Sequence, residues 1–270
     1  MGDLGNQRIN HNWTLFIQKK NQMKSFANEI RPQVYARFGG LLYLLIIILG
    51  AAQELVVRSR IIVSGDTTAT AANLRSMEFL WRLGIVTELF LGVCTIILAL
   101  IIYVLLSPVN KELAWLATFF NLIAISVQTA YSLLLVKALL PLGDAAYLKA
   151  FTSQQLDALT SLAIKEHGIG YGIALFFFGC YFPIAAYLIF KSSYFPKAIG
   201  ILYLLPGLSY LTSSSALILA PAFANRYYFV MAGPAIIGEG ALCLWLLVKG
   251  VNTDQWNKAR LILTQQERAK

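Results

Sequence analysis

Charged residues are scarce in this sequence of 270 residues: Asp, Glu, Lys and Arg together make up 13%, whereas hydrophobic residues make up 58%. With a mean hydropathy of +0.65, this composition excludes an ordinary soluble domain and indicates a helical membrane protein with several spans. The net charge is +9, but the basic residues bracket the apolar runs and do not form one patch. We therefore expect membrane lipid as a partner and no binding of nucleic acid.

Histidine and cysteine are also rare. The two histidines, His11 and His167, fall on opposite sides of the predicted membrane, which excludes a zinc site built from several histidines and a haem with two histidine ligands. The three cysteines all lie in apolar segments and imply no disulfide framework. We expect no metal and no cofactor; the alternative is a carboxylate-rich metal site formed by Glu54, Glu88, Glu239 and His167.

Sequence motifs of common enzyme classes are missing as well. The chain has no GxSxG, HExxH or CxxC motif and no phosphate-binding Walker loop. No lysine lies in the middle of a late apolar segment, where a retinal protein needs one. The N-terminus lacks the charged start, short apolar core and cleavage site of a signal peptide, so we expect the first membrane helix to stay in the chain.

Six apolar segments are each long enough to cross a hydrocarbon core of about 30 Å as a helix. They cover residues 36–57, 79–106, 113–142, 167–190, 198–220 and 229–249. The sequence therefore predicts an all-α, polytopic membrane protein: a six-transmembrane-helix bundle with two structured extracytoplasmic loops. We divide the chain into a cytoplasmic amphipathic segment (1–35), the transmembrane domain (36–250) and a cytoplasmic tail (251–270).

The distribution of lysine and arginine predicts the orientation of these helices. Fourteen of the 22 basic residues lie on the side that holds both termini and the turns at 107–112 and 191–197. Since positive charge accumulates on the cytoplasmic side of a membrane, we expect both termini in the cytoplasm. We expect the protein in the inner cell membrane.

The two outer connections are long enough to contain structure of their own. In the first, residues 58–78, Ser64, Asp66 or Thr67 is placed to cap a short helix that ends near Met77. The second, residues 143–166, carries leucines on one face of a helical pattern. This pattern predicts an amphipathic helix, separate from the fourth span, that lies on the membrane surface or covers the bundle.

Two glutamates lie near the middle of the predicted membrane, Glu88 in the second segment and Glu239 in the sixth. A charge at that depth costs on the order of 3 kcal/mol, so we expect both side chains to face the bundle interior. There they either form a proton-linked site or make hydrogen bonds that only fix the packing of the helices. The further candidates for ligand binding or proton transfer are Glu54, Arg58, Arg82, Gln128, His167 and Tyr171.

A purely structural role competes for several of these residues. Glu54 and Arg58 are four residues apart, which is the spacing of an ion pair on a helix. Arg82 follows Trp81 and is placed to extend outwards to the membrane interface. His167 lies near the predicted start of the fourth span, where a histidine at the interface needs no ligand.

Three classes of function are compatible with this pattern. The first is a binding or transport-like protein with an outward-facing polar cavity, in which Arg58 and Arg82 attract a small anionic or lipid-like ligand and Glu88 and Glu239 exchange protons. The second is an intramembrane enzyme that acts on lipid, with His167 as acid or base. The third is a structural or accessory subunit that binds partner subunits of a larger membrane complex.

Several motifs, taken in order, resemble one family. They are RFGGLLYLLIIILGAAQELVVRSRIIVSGDTTATAANL, FLWRLGI, LLSPVNKELA, EHGIGYGIALFFFGCYFPIAAYLIFKSSYFPKAIG and GEGALCLWLLVKGV. These segments look like the DUF4386 family of bacterial integral membrane proteins, and the resemblance covers about residues 36–251. It implies a six-span architecture in a bacterial membrane. It carries over no catalytic residue, and the family name assigns no activity.

Overall fold

The computed structural model describes residues 31–268, and all regular structure in that range is helical. Residues 1–30, which hold most of the predicted amphipathic N-terminal segment, lie outside the described residues. The helices are α1 (Pro32–Ile61), α2 (Thr67–Ser76), α3 (Glu78–Leu106), α4 (Lys111–Leu142), α5 (Ser153–Lys191), α6 (Lys197–Leu219), α7 (Pro221–Val248) and α8 (Thr253–Arg268). The prediction of an all-α fold is confirmed.

Five helices, α1, α3, α4, α5 and α6, are long and apolar enough to cross a membrane. The end of α7, Gly233–Val248, passes the same test together with α8, across a bend of 102°, and is the sixth candidate span. Large apolar side chains stay exposed along the helices, for example Val86 at 62% and Ile236 at 70%. Such continuous apolar surface is typical of contact with lipid. The chain is a polytopic α-helical membrane protein, as predicted.

The six long helices form a closed ring. Each packs against the next along the chain, in the order α1, α3, α4, α5, α6 and α7, and α7 packs against α1. Turns at residues 107–110 and 192–196 define one end of the ring, the short-loop face; the connections at 62–77 and 143–152 define the other end, the long-loop face. Because the ring closes, the inner sides of all six helices converge on one central axis.

The fourth span begins earlier than predicted. We expected a span at 167–190 preceded by a separate amphipathic helix, but α5 is one continuous helix of 39 residues. It starts at a capping box, in which Thr152 and Gln155 each accept a hydrogen bond from the other's backbone N–H. No proline interrupts the helix before Pro183, so nothing separates the two parts.

The start of α5 extends past the membrane and supports α2. At 1.5 Å per residue α5 is about 58 Å long, about twice the hydrocarbon thickness. Arg75 of α2 donates to Asp157 of α5 at 3.0 Å, and the Asp157 side chain is only 6% exposed. The cap of α2 is one of those predicted: the Asp66 side chain accepts from the backbone N–H of Ala69 at 2.8 Å.

Glycines allow α7 to approach its two neighbours closely. A Cβ added to Gly40 of α1 would lie 2.7 Å from the backbone nitrogen of Leu247. A Cβ added to Gly238 of α7 would collide with the carbonyl oxygen of Leu202 on α6. Absence of a side chain at both positions therefore sets how near α1 and α6 lie to α7.

We expect Gly40→Ala to lower the unfolding temperature of the purified protein, because overpacking a tight contact costs about 1–3 kcal/mol. Gly50→Ala is the matched control on the same helix, since nothing lies within 4 Å of its added Cβ. Thermal unfolding of both variants in one detergent makes the comparison. A Gly40→Ala protein as stable as Gly50→Ala would contradict the close packing of α1 on α7.

Candidate functional site

A cavity of about 140 Å³ lies at the centre of the ring. Every one of the six ring helices contributes to its wall, so the cavity is a property of the whole ring. Its polar and aromatic lining residues are Tyr43, Thr95, Asn121, Gln128, Tyr171, Phe178, Tyr181, Phe182, Tyr203, Tyr210 and Glu239. Gln128, Tyr171 and Glu239 are among the candidates that the sequence identified.

Glu239 is the acidic side chain of this cavity. The hydroxyl of Tyr43 on α1 donates to its Oε2 at 3.1 Å, and the hydroxyl of Tyr210 on α6 donates to its Oε1. A carboxylate has lone pairs for about four hydrogen bonds, so these two phenols leave acceptor capacity unused. The Glu239 side chain is partly accessible although it lies inside the bundle, and the cavity is the space that it faces.

Aromatic rings form most of the remaining wall. Phe182 packs edge-on against Tyr203 and Tyr210, with ring centroids 4.9 and 5.5 Å apart. The hydroxyls of Tyr181 and Tyr203 lie 3.3 Å apart. Among the described residues that line the cavity there is no Lys, Arg or His. A carboxylate surrounded by aromatic rings is an environment that favours a cation, because ring faces attract positive charge.

A second polar site lies around Glu88. Its Oε1 accepts from Ser132 at 2.7 Å and from Nε2 of His167 at 2.8 Å, and its Oε2 accepts from Arg58 at 3.2 Å and from Gln53 at 3.4 Å. We call these five residues the Glu88 cluster. They come from α1, α3, α4 and α5, so one carboxylate joins four helices. Glu88 is 5% exposed and His167 is 1% exposed.

A segment of π-helix brings two α1 residues to the same carboxylate oxygen. Residues Gln53–Arg58 are wound with hydrogen bonds from i to i+5, so Gln53 and Arg58 lie on one side of the helix. The sequence, read with α-helical spacing, paired Arg58 with Glu54. That contact exists at 3.9 Å, but the Glu54 side chain is 57% exposed. Gln53 was missed, because no sequence pattern marked the change of helix type.

The Glu88 cluster lies between the cavity and the long-loop face. Thr95 lines the cavity and is seven residues from Glu88 on α3, which is about 10 Å along a helix. Gln128 lines the cavity, and Ser132 of the cluster is the next residue on that side of α4. The two membrane glutamates therefore serve separate sites and do not share one cavity.

The remaining candidates lie apart from the cavity. Arg82 is exposed and pairs with Glu78 one turn earlier at 2.7 Å. We expected His167 near the outer surface of the membrane. It is instead buried inside the bundle, because α5 begins 14 residues before it. In the part of the chain that the structure describes, no group of three or more His, Cys, Asp or Glu side chains is placed to hold a metal ion.

Three tyrosines of the cavity, Tyr43, Tyr181 and Tyr203, were not among the candidates from the sequence. Each lies in an apolar run, where a tyrosine is usually a packing residue. Their common feature, a place in the wall of the cavity, depends on which helices are neighbours in the ring.

We expect Glu88→Gln to destabilise the fold by about 1–3 kcal/mol, because it removes the counter-charge of Arg58 and leaves buried donors without an anionic partner. Glu78→Gln is the matched control, since Glu78 lies on the same helix in an exposed ion pair worth about 1 kcal/mol or less. Unfolding by denaturant in detergent measures both. Equal stability of the two variants would show that the Glu88 cluster does not hold the four helices together.

Comparison with known proteins identifies a family. The profile described as "Domain of unknown function (DUF4386)" matches residues 38–250, which includes the cavity and the Glu88 cluster. Searches of curated proteins and of solved structures found no match.

Proposed function

Because the chain belongs to the DUF4386 family, whose description assigns no activity, we propose a function from the cavity itself: the ring of helices binds a small organic cation, with Glu239 as its counter-charge. The observation that carries this proposal is the carboxylate of Glu239, held by two phenols and facing an aromatic cavity. A small ammonium ion supplies the missing counter-charge, and the surrounding ring faces attract it. Compact ammonium compounds are the ligand class.

Charge complementarity favours a cation over the anionic or lipid-like ligand suggested by the sequence. That suggestion depended on Arg58 and Arg82, and both arginines are paired with carboxylates away from the cavity. Glu239 is the formal charge among the described lining residues. A positive charge beside this carboxylate is attracted, whereas an anion is repelled, and both effects are strong in a medium of low dielectric constant.

The size of the cavity favours a compact ligand. Its volume of about 140 Å³ is close to that of an engineered cavity of about 150 Å³ that holds benzene in another protein. A lipid with its acyl chains does not fit such a volume. Binding of a molecule with few heavy atoms is therefore the activity that we propose.

A lipid-modifying enzyme with His167 as acid or base has less support. Nε2 of His167 bonds to Glu88 and the side chain is 1% exposed. It does not line the cavity, so a substrate held there would not reach it. A purely structural role in a larger complex predicts that the cavity binds no ligand. A binding experiment therefore distinguishes this role from the proposed binding of a cation.

We expect tetramethylammonium to bind the detergent-solubilised protein and to raise its unfolding temperature, because binding to the folded state stabilises it. Calorimetric titration provides the second measurement. Glu239→Gln should abolish the effect and Tyr43→Phe should weaken it, because they remove the counter-charge and one of its two hydrogen-bond donors. Sodium acetate at equal ionic strength controls for a general salt effect.

Glu78→Gln is the matched variant for this titration, since Glu78 is a surface glutamate far from the cavity lining. It should bind tetramethylammonium as the natural protein does. Absence of binding to the natural protein, or equal binding by Glu239→Gln, would contradict the proposal and favour a structural role.

We also propose that both termini lie in the cytoplasm and that the short-loop face is the cytoplasmic one. The support is the excess of lysine and arginine on that side, fourteen of 22. A fluorescent protein fused after residue 270 should fold and fluoresce in a bacterial host, while alkaline phosphatase at the same position should stay inactive. Active phosphatase and a dark fluorescent protein would reverse the orientation.

A further inference from the structure

A groove of about 210 Å³ lies on the outside of the ring, between α5 and α6. We call it the α5–α6 groove. Tyr187 and Phe190 of α5 and Ile201 and Leu204 of α6 form much of its wall, and each of these side chains is 36–60% exposed. None of the described residues lines both this groove and the central cavity. Because the groove lies on the outer side of a membrane-spanning ring, it faces lipid.

Close contact between the two helices gives the groove its length. A Cβ added to Gly200 of α6 would lie 2.7 Å from the backbone nitrogen of Phe190, and one added to Gly207 would lie 2.7 Å from Cδ of Pro183. These two contacts are seven residues apart on each helix, which is about 10 Å. The groove follows this line of contact and is lined by apolar and aromatic side chains. A narrow apolar groove of this length suits an acyl chain, which gains many van der Waals contacts along it.

Two lysines lie at the short-loop end of the groove. Lys191 is the last residue of α5 and Lys197 is the first residue of α6. Nζ of Lys191 is 5.8 Å from the centre of the Tyr187 ring, and Nζ of Lys197 is 5.5 Å from the centre of the Phe190 ring. Since both rings line the groove, both ammonium groups are held beside it.

Neither lysine has a counter-charge of its own. Within residues 31–268, no Asp or Glu side chain forms an ion pair with Lys191 or Lys197. The sequence explains this, because no acidic residue occurs between Glu166 and Glu239. Lysine binds phosphate as a point charge, so the end of the groove is complementary to a phosphate group.

We propose that the α5–α6 groove binds one anionic phospholipid from the leaflet on the short-loop side. An acyl chain lies along the groove, and the phosphate binds Lys191 and Lys197. A zwitterionic phospholipid offers the same chains, but the ammonium group of its head offsets the charge that the lysines attract. The site is separate from the cavity at Glu239 and does not depend on the binding of a cation there.

The test is photocrosslinking of the full-length protein in nanodiscs of phosphatidylcholine. A small fraction of the lipid is phosphatidylglycerol with a diazirine in one acyl chain, and mass spectrometry maps the crosslinked residues. Phosphatidylcholine with the same diazirine chain is the reference lipid. We expect the phosphatidylglycerol crosslinks to concentrate at residues 183–204. Their yield there should exceed that of the reference lipid by about tenfold to thirtyfold, because each lysine near the surface strengthens the binding of anionic lipid about fivefold.

Replacing both Lys191 and Lys197 by Gln should remove this excess. Replacing Lys249 and Lys258 by Gln is the matched control, since these exposed lysines belong to the same face and do not line the groove. That control should keep the natural yield. All four lysines are exposed, so neither double variant is expected to unfold.

Three results would overturn the proposal. Equal yields of the two photoreactive lipids at residues 183–204 would show that the groove does not select a charge. Equal losses in the two double variants would show a general effect of surface charge. Crosslinks spread evenly around the ring, or absent from the groove, would show that no lipid is held there.

Discussion

The cost of keeping carboxylates among apolar helices is the constraint on which this structure depends. A charge in the middle of a membrane costs on the order of 3 kcal/mol, so each glutamate needs hydrogen-bond donors from other helices. Glu88 of α3 takes them from α1, α4 and α5, and Glu239 of α7 takes them from α1 and α6. Together the two glutamates accept hydrogen bonds from all four remaining helices of the ring, α1, α4, α5 and α6. The first helix is shared, through Tyr43 in one site and Gln53 and Arg58 in the other.

The two glutamates differ in what their partners leave for a ligand. Each oxygen of Glu88 receives two hydrogen-bond donors, and Arg58 supplies the counter-charge, so this carboxylate is fully bonded and connects four helices. Glu239 accepts hydrogen bonds from two phenol hydroxyls, and it faces a cavity whose described lining includes no Lys, Arg or His. An acidic side chain that lacks a counter-charge and faces a cavity is a candidate for binding a cation, whereas a fully bonded carboxylate is not. The same chemical group thus has different surroundings in the two sites.

Hydropathy and helix caps predicted the fold well. The predicted apolar segments correspond to the ring helices, and Asp66 caps α2 as expected. Both features depend on residues that are close together in the sequence. The candidates Glu88, Gln128, Tyr171 and Glu239 were found because polar groups in apolar runs stand out. What was missed depends on tertiary contacts: the π-helix at Gln53–Arg58, the continuity of α5, and the tyrosines around Glu239. That Glu88 and Glu239 lie in separate sites follows from which residues line the cavity, and the sequence alone does not give that.

The central claim is that the ring encloses a site for a small cation beside Glu239, and its most direct test is anomalous diffraction. Crystals grown with tetramethylarsonium, an arsenic analogue of tetramethylammonium, would carry a strong anomalous scatterer wherever the cation binds. The account predicts an arsenic peak inside the cavity, next to the Glu239 carboxylate and within contact of the rings of Tyr43 and Tyr210. An empty cavity in crystals grown with saturating tetramethylarsonium, or a peak only at the protein surface, would contradict the proposed cation site.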